Sequence, residues 1–224
     1  MAAYDLEEQE QLDTIKTWWK MYGNLVTLTV TLAALMVLAW QGWNWWQNKQ
    51  AVQASNIYGG VQLAVSQKDA KRARELAGEL IDQYGRTTYA GLAALLSAKA
   101  LVDSGDTKSA QAQLTWAADN ARDNSLKEIA RLRLATVLLD EKSYDEALKR
   151  LTPDPAPSLQ ARYSEVRGDI LLAQGKRPEA KAAYEAGLKQ LEASTKLANN
   201  NEARGHATYR EVLQNKLDMV GGAP

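Results

Sequence analysis

Hydrophobic and polar positions divide the chain into an apolar stretch near the N-terminus and a longer stretch of helical periodicity. Residues 21–48 form a run of 28 positions without a charged side chain, whereas charges are frequent elsewhere. A helix rises about 1.5 Å per residue, so about 20 apolar residues cross a hydrocarbon core of roughly 30 Å. The pattern therefore predicts a transmembrane helix over residues 21–48, preceded by a tail of residues 1–20.

Aromatic side chains flank the apolar run on both sides. An aromatic ring with a polar tip is most stable at the level of the lipid headgroups. Bulky residues follow the run where a signal peptidase needs small ones, which favours an uncleaved anchor over a cleaved signal peptide. The pattern predicts contact with membrane lipid through two belts, one formed by Trp18, Trp19 and Tyr22 and the other by Trp40, Trp43, Trp45 and Trp46.

Lysines near the apolar run give a small indication of its orientation. Lys16 and Lys20 precede the run, and Lys49 is the one basic residue that follows it closely. An excess of basic residues marks the cytoplasmic side, while the acidic residues of the tail contribute little. The excess is a single residue, so charge alone leaves the orientation open.

The remaining sequence has the spacing of a helical repeat. Four turn segments each end in an alanine, at spacings of 37, 37 and 33 residues: Ala73, Ala110, Ala147 and Ala180. Twelve positions before each alanine stands a compact residue: Val61, Ala98, Ala135 and Gly168. Small residues allow two helices to cross closely, and the period resembles that of the tetratricopeptide repeat, about 34. The alternative is an unrelated helical bundle. We predict an all-α fold in which one N-terminal transmembrane helix precedes a tetratricopeptide-like solenoid over residues 49–220.

Helix-breaking residues mark the later boundaries of this array. Pro153, Pro155 and Pro157 cannot continue a helix, so the second helix of the third repeat should be short. The three asparagines at 199–201 predict a loop, and apolar spacing predicts a capping helix over residues 205–220. Residues 221–224 are expected to form a disordered end.

Candidate catalytic chemistry is sparse. His206 is the one histidine of the chain, and there is no cysteine. A metal site or a general base would need partners that the sequence does not supply, and His206 is better interpreted as a surface residue at a helix start. No phosphate-binding loop or hydrolase motif occurs. We therefore expect no enzyme activity, no cofactor and no metal, and the lack of a basic stripe argues against nucleic acid.

The first helices of such pairs line a concave surface that binds partners. Apolar residues mixed with a few charges suit extended or partly unfolded chains. For the leucines the alternative is packing between repeats. In the repeat register this predicted groove contains Tyr58, Gln62, Leu92, Leu95, Lys99, Leu132, Thr136, Arg162 and Asp169.

Three segments carry a resemblance to a known family. They are the tail EQEQLDTIKTWWKMYGN at residues 8–24, the anchor exit WQGWNWW at 40–46, and YAGLAAL at 89–95. Together with the repeats they resemble the YfgM family, the ancillary subunit of the bacterial SecYEG translocon. The resemblance implies a single-span inner-membrane protein with a cytoplasmic tail and a periplasmic repeat domain. It also implies association with SecYEG and with the membrane-tethered periplasmic chaperone PpiD.

These observations lead to one expected function and two alternatives. The expected function is binding of periplasmic chaperones or emerging secreted polypeptides beside the translocon. One alternative is a regulatory anchor whose acidic tail sequesters a cytoplasmic signalling protein. The other is a scaffold for a different envelope machine, such as outer-membrane assembly or division.

Overall fold

The computed structural model describes residues 2–196 and 200–221, with side chains described over 11–196 and 203–221. Regular structure in these ranges is entirely α-helical. The chain forms two compact units, Met1–Gln50 and Ala51–Pro224. The predicted all-α fold is confirmed.

The longest helix, α1, runs from Ala2 to Ser66. Large apolar side chains in its middle are open to the surroundings, and Leu38 and Trp40 are 65% and 67% exposed. Apolar surface of this kind is favourable in contact with hydrocarbon, whereas its exposure to water raises the free energy of the protein. Within the described residues, α1 is the one helix long and apolar enough to cross a membrane. It therefore fits a single-pass membrane protein.

The first repeat begins inside α1. Residues 51–66 of this helix belong to the second compact unit and form the first helix of the first repeat. The tail is helical from Ala2, so it starts the same long helix. The helices that follow are α2 Ala70–Tyr84, α3 Thr88–Asp103, α4 Thr107–Asn120, α5 Asn124–Asp140, α6 Tyr144–Arg150, α7 Pro157–Ala173, α8 Arg177–Thr195 and α9 Asn200–Gly221.

The turn inside each helix pair has the same backbone geometry. In every turn the residue after the positive-φ position donates its N–H to a carbonyl five residues earlier, at 2.9 Å. This is the Schellman arrangement, in which a left-handed residue closes the end of a helix. The four positive-φ residues occur at the repeat spacing and are Lys68 (60°), Gly105 (84°), Lys142 (62°) and Gly175 (78°).

Small side chains lie where the paired helices cross. The four alanines at positions 73, 110, 147 and 180 are all fully buried. In the fourth repeat the crossing is close: a Cβ added to Gly168 would lie 2.5 Å from Cε1 of Tyr184. Among the described residues, the buried side chains form three clusters along the array. They are centred on Ala77 and Leu80, on Leu114 and Leu134, and on Tyr184 and Leu213.

The third repeat has the short second helix that its prolines predict. Helix α6 has 7 residues and ends at Arg150, and Pro157 opens α7 at its first position. Leu151 remains fully buried beyond the end of α6. The phenol of Tyr163 on α7 donates to the carbonyl of Glu128 on α5 at 2.7 Å. The fourth repeat therefore also packs against the first helix of the third.

The last helix begins earlier than the sequence predicts. Helix α9 starts at Asn200, so Asn200 and Asn201 are helical and the predicted loop is wrong at these two positions. Asn199 lies outside the described residues. Gly205 did not mark the helix start because it lies in open space on an exposed face, where glycine is tolerated inside a helix. Gly221 is the last residue of α9, and the predicted disordered end at 222–224 lies outside the described residues.

Candidate partner-binding surface

A cleft of about 310 Å³ lies between α3 and α5, the first helices of the second and third repeats. Two residues of the predicted groove, Lys99 and Thr136, line it. The floor includes Leu114 from α4, which is almost fully buried. The complete lining is Ala98, Lys99, Val102, Asp103, Leu114, Arg133, Thr136, Val137 and Asp140. We refer to it as the α3–α5 cleft.

Charged side chains surround the apolar floor of the α3–α5 cleft. Nζ of Lys99 lies 3.2 Å from Oδ2 of Asp103, and both side chains are largely exposed. Nη1 of Arg133 donates to the carbonyl of Leu95 on α3 at 3.3 Å. The cleft therefore has an apolar base and charged edges. Its cations, Lys99 and Arg133, precede in the sequence of each helix the carboxylates of Asp103 and Asp140, which lie at the C-terminal ends of α3 and α5.

The apolar residues of the predicted groove differ in accessibility. Leu95 is 6% exposed and belongs to the central core cluster, so it is unavailable to a partner and its place in the predicted groove is wrong. The reason is that it faces the neighbouring repeat, the alternative that the sequence left open. Leu132 is partly buried against the same cluster, and Leu92 is half-buried. The half-buried ring of Tyr58 is tilted by 43° against that of Tyr89, with 5.7 Å between the ring centres.

Two further residues of the predicted groove, Arg162 and Asp169, lie on α7 and face the last helix. Asp169 accepts hydrogen bonds from Tyr184 at 2.8 Å and from Lys216 at 2.7 Å. The guanidinium of Arg162 lies 3.9 Å from the ring centre of Tyr209. Since Lys216 and Tyr209 belong to α9, the structure assigns this end of the predicted groove to packing of the last helix.

Glu165 completes the network between α7 and α9. Its carboxylate is buried, accepts a hydrogen bond from Tyr209 at 2.6 Å, and pairs with Nζ of Lys216 at 2.8 Å. One ammonium group thus bridges two carboxylates, Glu165 and Asp169, on successive turns of α7. Buried charges are stable when they are paired and hydrogen-bonded in this way.

The protonation states of this network follow from its surroundings. Burial raises the pKa of the Tyr184 and Tyr209 phenols, and their hydrogen bonds to carboxylates raise it further. Burial alone would lower the pKa of Lys216, but the hydrogen bonds to Asp169 and Glu165 outweigh it and the net shift is upward. The phenols remain donors and the ammonium remains charged at neutral pH, so the network stays intact.

The aromatic belts lie on α1. On the N-terminal side the rings of Trp18 and Tyr22 are 5.8 Å apart, and Trp19 is exposed. On the other side the rings of Trp43 and Trp46 are 5.5 Å apart. The ammonium of Lys49 lies 5.4 Å from the Trp45 ring, an arrangement that suits a cation at the headgroup level. Trp40 is also exposed.

His206 occupies a structural position. It lies inside α9 rather than at its start, so the predicted helix-start position is wrong for the reason given for Gly205. Nδ1 of His206 is 2.9 Å from Oγ1 of Thr195, which joins α9 to the end of α8. Among the described residues, no group of three or more possible metal ligands occurs.

Comparison with known proteins decides the family. A family model described as a tetratricopeptide repeat-like domain matches residues 16–222. The ancillary SecYEG translocon subunit of Escherichia coli is 32% identical over 189 residues, 84% of this chain and 90% of that protein. The one from Neisseria gonorrhoeae is 30% identical over 224 residues, 98% of this chain and 100% of that protein. The chain belongs to the family of ancillary SecYEG translocon subunits.

Membership of the ancillary translocon subunits confirms the resemblance to the YfgM family. The match to the Neisseria protein extends over the apolar helix as well as the repeats. A solved structure, the MamA RS-1 ArsTM double mutant, is similar with a TM-score of 0.48 and 18% identity, over 76% of this chain and 97% of that one. The similarity to the Neisseria ancillary translocon subunit covers both the apolar helix and the repeat unit of this chain.

Two features of this ancillary-subunit chain were missed from the sequence. Glu165 and Lys216 meet only through the packing of α9, and no local pattern connects residues so far apart in sequence. The carboxylates of Asp103 and Asp140 at the end of the α3–α5 cleft did leave a signal. They are 37 residues apart, the spacing of the alanines in the first three repeats.

Proposed function

We propose that the chain is a single-pass inner-membrane protein that associates with the SecYEG translocon and holds its repeat unit in the periplasm. The observation that carries the proposal is the similarity to ancillary SecYEG translocon subunits over nearly the whole chain. The exposed apolar length of α1 and its aromatic belts support the membrane anchor. The excess of lysine before the apolar run is consistent with a cytoplasmic tail.

The repeat unit acts in this proposal by binding rather than by chemistry. Its partners are a periplasmic chaperone, with PpiD as the candidate, and secreted polypeptides that leave the translocon. The accessible part of the first-helix surface, with the α3–α5 cleft at its centre, is the proposed contact site. Anchoring on the same membrane raises the effective concentration of these partners, so modest affinities suffice.

Site-specific crosslinking in the full-length protein tests the proposal. A photo-crosslinking amino acid at Thr136, exposed in the cleft, is compared with one at Asp119, exposed on α4. The protein is isolated from membranes in mild detergent and its adducts are identified by mass spectrometry. We expect translocon subunits to co-purify, and a periplasmic chaperone or secreted chains to crosslink at Thr136 more than at Asp119. Recovery of cytoplasmic regulators alone, or of division or outer-membrane assembly proteins, would contradict the proposal.

A further inference from the structure

The α3–α5 cleft ends in two carboxylates that stand at equivalent positions of adjacent repeats. Asp103 is the last residue of α3, and Asp140 is the last residue of α5. A carboxylate is unfavourable at the C-terminus of a helix, where the macrodipole is negative, and a cation is favourable. The corresponding positions of the first and fourth repeats hold Ser66 and Ala173, so this carboxylate pair occurs once in the array.

The two carboxylates are not fully neutralised by the protein. Asp103 pairs with Lys99, but both side chains are more than 60% exposed, and such an i,i+4 pair exchanges readily for another partner. Within the part of the chain that the structure describes, the carboxylate of Asp140 makes no hydrogen bond or ion pair. Arg133 does not compensate it, because its guanidinium is directed to the carbonyl of Leu95.

The floor of the cleft suits the stem of a long cationic side chain. Val102 and Val137 lie one residue and three residues before the two aspartates, and Leu114 lies beneath them. Lysine and arginine bury their methylene stems along apolar surface and keep the charged head at a polar edge. A volume of about 310 Å³ is at the low end for ligand pockets, which fits one side chain with its local backbone rather than a folded domain.

We propose that the α3–α5 cleft binds a lysine or arginine side chain presented by an extended polypeptide segment. The stem lies over Val102 and Val137, and the charged head lies between Asp103 and Asp140. This inference rests on the proposed function and specifies which feature of a partner chain the repeat unit recognises. A carboxylate from the partner is the poorer match, because the guanidinium of Arg133 is engaged by the carbonyl of Leu95, whereas Asp140 has no partner among the described residues.

Peptide binding to the full-length protein in lipid nanodiscs tests this inference. Three fluorescent extended peptides are identical except for a central lysine, norleucine or glutamate, and their affinities are measured by anisotropy at low and high salt. We expect the lysine peptide to bind about tenfold more tightly than the norleucine peptide, with the difference shrinking at high salt. Equal affinity for lysine and norleucine, or tighter binding of the glutamate peptide, would overturn the inference.

Matched variants test whether the preference for the lysine peptide arises in the α3–α5 cleft. The double substitution Asp103→Asn with Asp140→Asn preserves shape and should abolish the preference for lysine, whereas Asp119→Asn on α4 should preserve it. Filling the cleft by Thr136→Trp should weaken the lysine peptide without changing the carboxylates. Circular dichroism confirms that each variant is folded. A preference for lysine that survives both the double substitution and the filled cleft would contradict the assignment.

The same variants separate this inference from the proposed function. Translocon subunits should co-purify with the double variant as with the unaltered chain, because the cleft is not their proposed anchor. Unchanged co-purification without peptide selectivity overturns only the cleft assignment. Failure of the unaltered chain to co-purify with translocon subunits overturns the proposed function, whatever the peptides do.

Discussion

Individual small residues determine how closely the helices of each repeat approach. Glycine at 168 leaves room for the edge of the Tyr184 ring, and the phenol of that ring reaches Asp169. The ring is almost fully buried and fixed at its far end by a hydrogen bond, so it cannot move aside freely. The cost of one added carbon at this position is therefore large.

We expect Gly168→Ala to lower the free energy of unfolding by about 1–3 kcal/mol, because the new methyl group would overlap the Tyr184 ring. Urea unfolding of the full-length protein in detergent, followed by circular dichroism, measures the change. Gly78→Ala is the control, since Gly78 lies inside α2 with open space around it. That substitution should stabilise the protein by about 0.5–1 kcal/mol through helix propensity. Equal effects at the two sites would contradict the packing argument.

The sequence predicted residues of this kind well and the charged contacts poorly. The alanines and Gly168 follow a fixed spacing because every helix crossing needs a small residue at the same place. Leu95 was wrongly placed in the groove because the sequence spacing is the same for a leucine that faces a partner and for one that packs against the next repeat. Which of the two holds is decided by the angle between neighbouring repeats, and a single sequence does not contain that angle.

At the scale of elements, each helix pair depends on a left-handed residue in its turn. Glycine adopts a positive φ without strain, whereas lysine pays a steric cost for its Cβ. The first and third turns have Lys68 and Lys142 at this position, while the second and fourth have glycine. Two of the four turns are therefore less stable than the fold permits.

Lys142→Gly should stabilise the repeat unit by about 0.5–1 kcal/mol, because φ at this position is 62°. Thermal or urea unfolding of the full-length protein reports the gain. Lys142→Ala has the same charge change but keeps a Cβ, so it should stay within a few tenths of a kcal/mol of the original. A gain for both variants would show that charge, rather than the backbone, limits this turn.

The last helix is held by a polar network whose centre is a single ammonium group. Replacing it by Lys216→Met leaves Glu165 and Asp169 without their shared cation, and we expect a loss of about 1–3 kcal/mol. Hydrogen exchange should show the loss first in the amides of α9. Lys181→Met, which removes an exposed ion pair of 4.0 Å on α8, should leave exchange nearly unchanged. If the α9 amides of both variants were as protected from exchange as those of the original protein, α9 would be held by its apolar face alone.

At the scale of the whole molecule, the absence of cysteine from the sequence makes membrane topology directly measurable. We expect Thr136→Cys to react with a membrane-impermeant maleimide in spheroplasts, because the proposed repeat unit is periplasmic. Gln11→Cys in the tail should react only after the membrane is permeabilised. The reverse pattern would place the tail outside and exclude the proposed periplasmic binding role.

The order of anchor and repeats was predictable from the sequence because both depend on local composition. The helix boundaries were less predictable. The apolar run and the alanine spacing each repeat a simple physical requirement along the chain. The start of α9 was misplaced because Gly205 looks like a boundary in sequence, although its exposed position costs the helix little. Topology remains a prediction, since it depends on the insertion of α1 rather than on the fold.

The short α6 has a mechanical consequence for the repeat unit. Helix α6 meets α7 over a smaller surface than α2 meets α3 or α4 meets α5. Stacked repeats under tension separate first at the interface where the least surface is in contact. A pull on the C-terminal helices would therefore be relieved between Arg150 and Pro157 before the first two repeats yield.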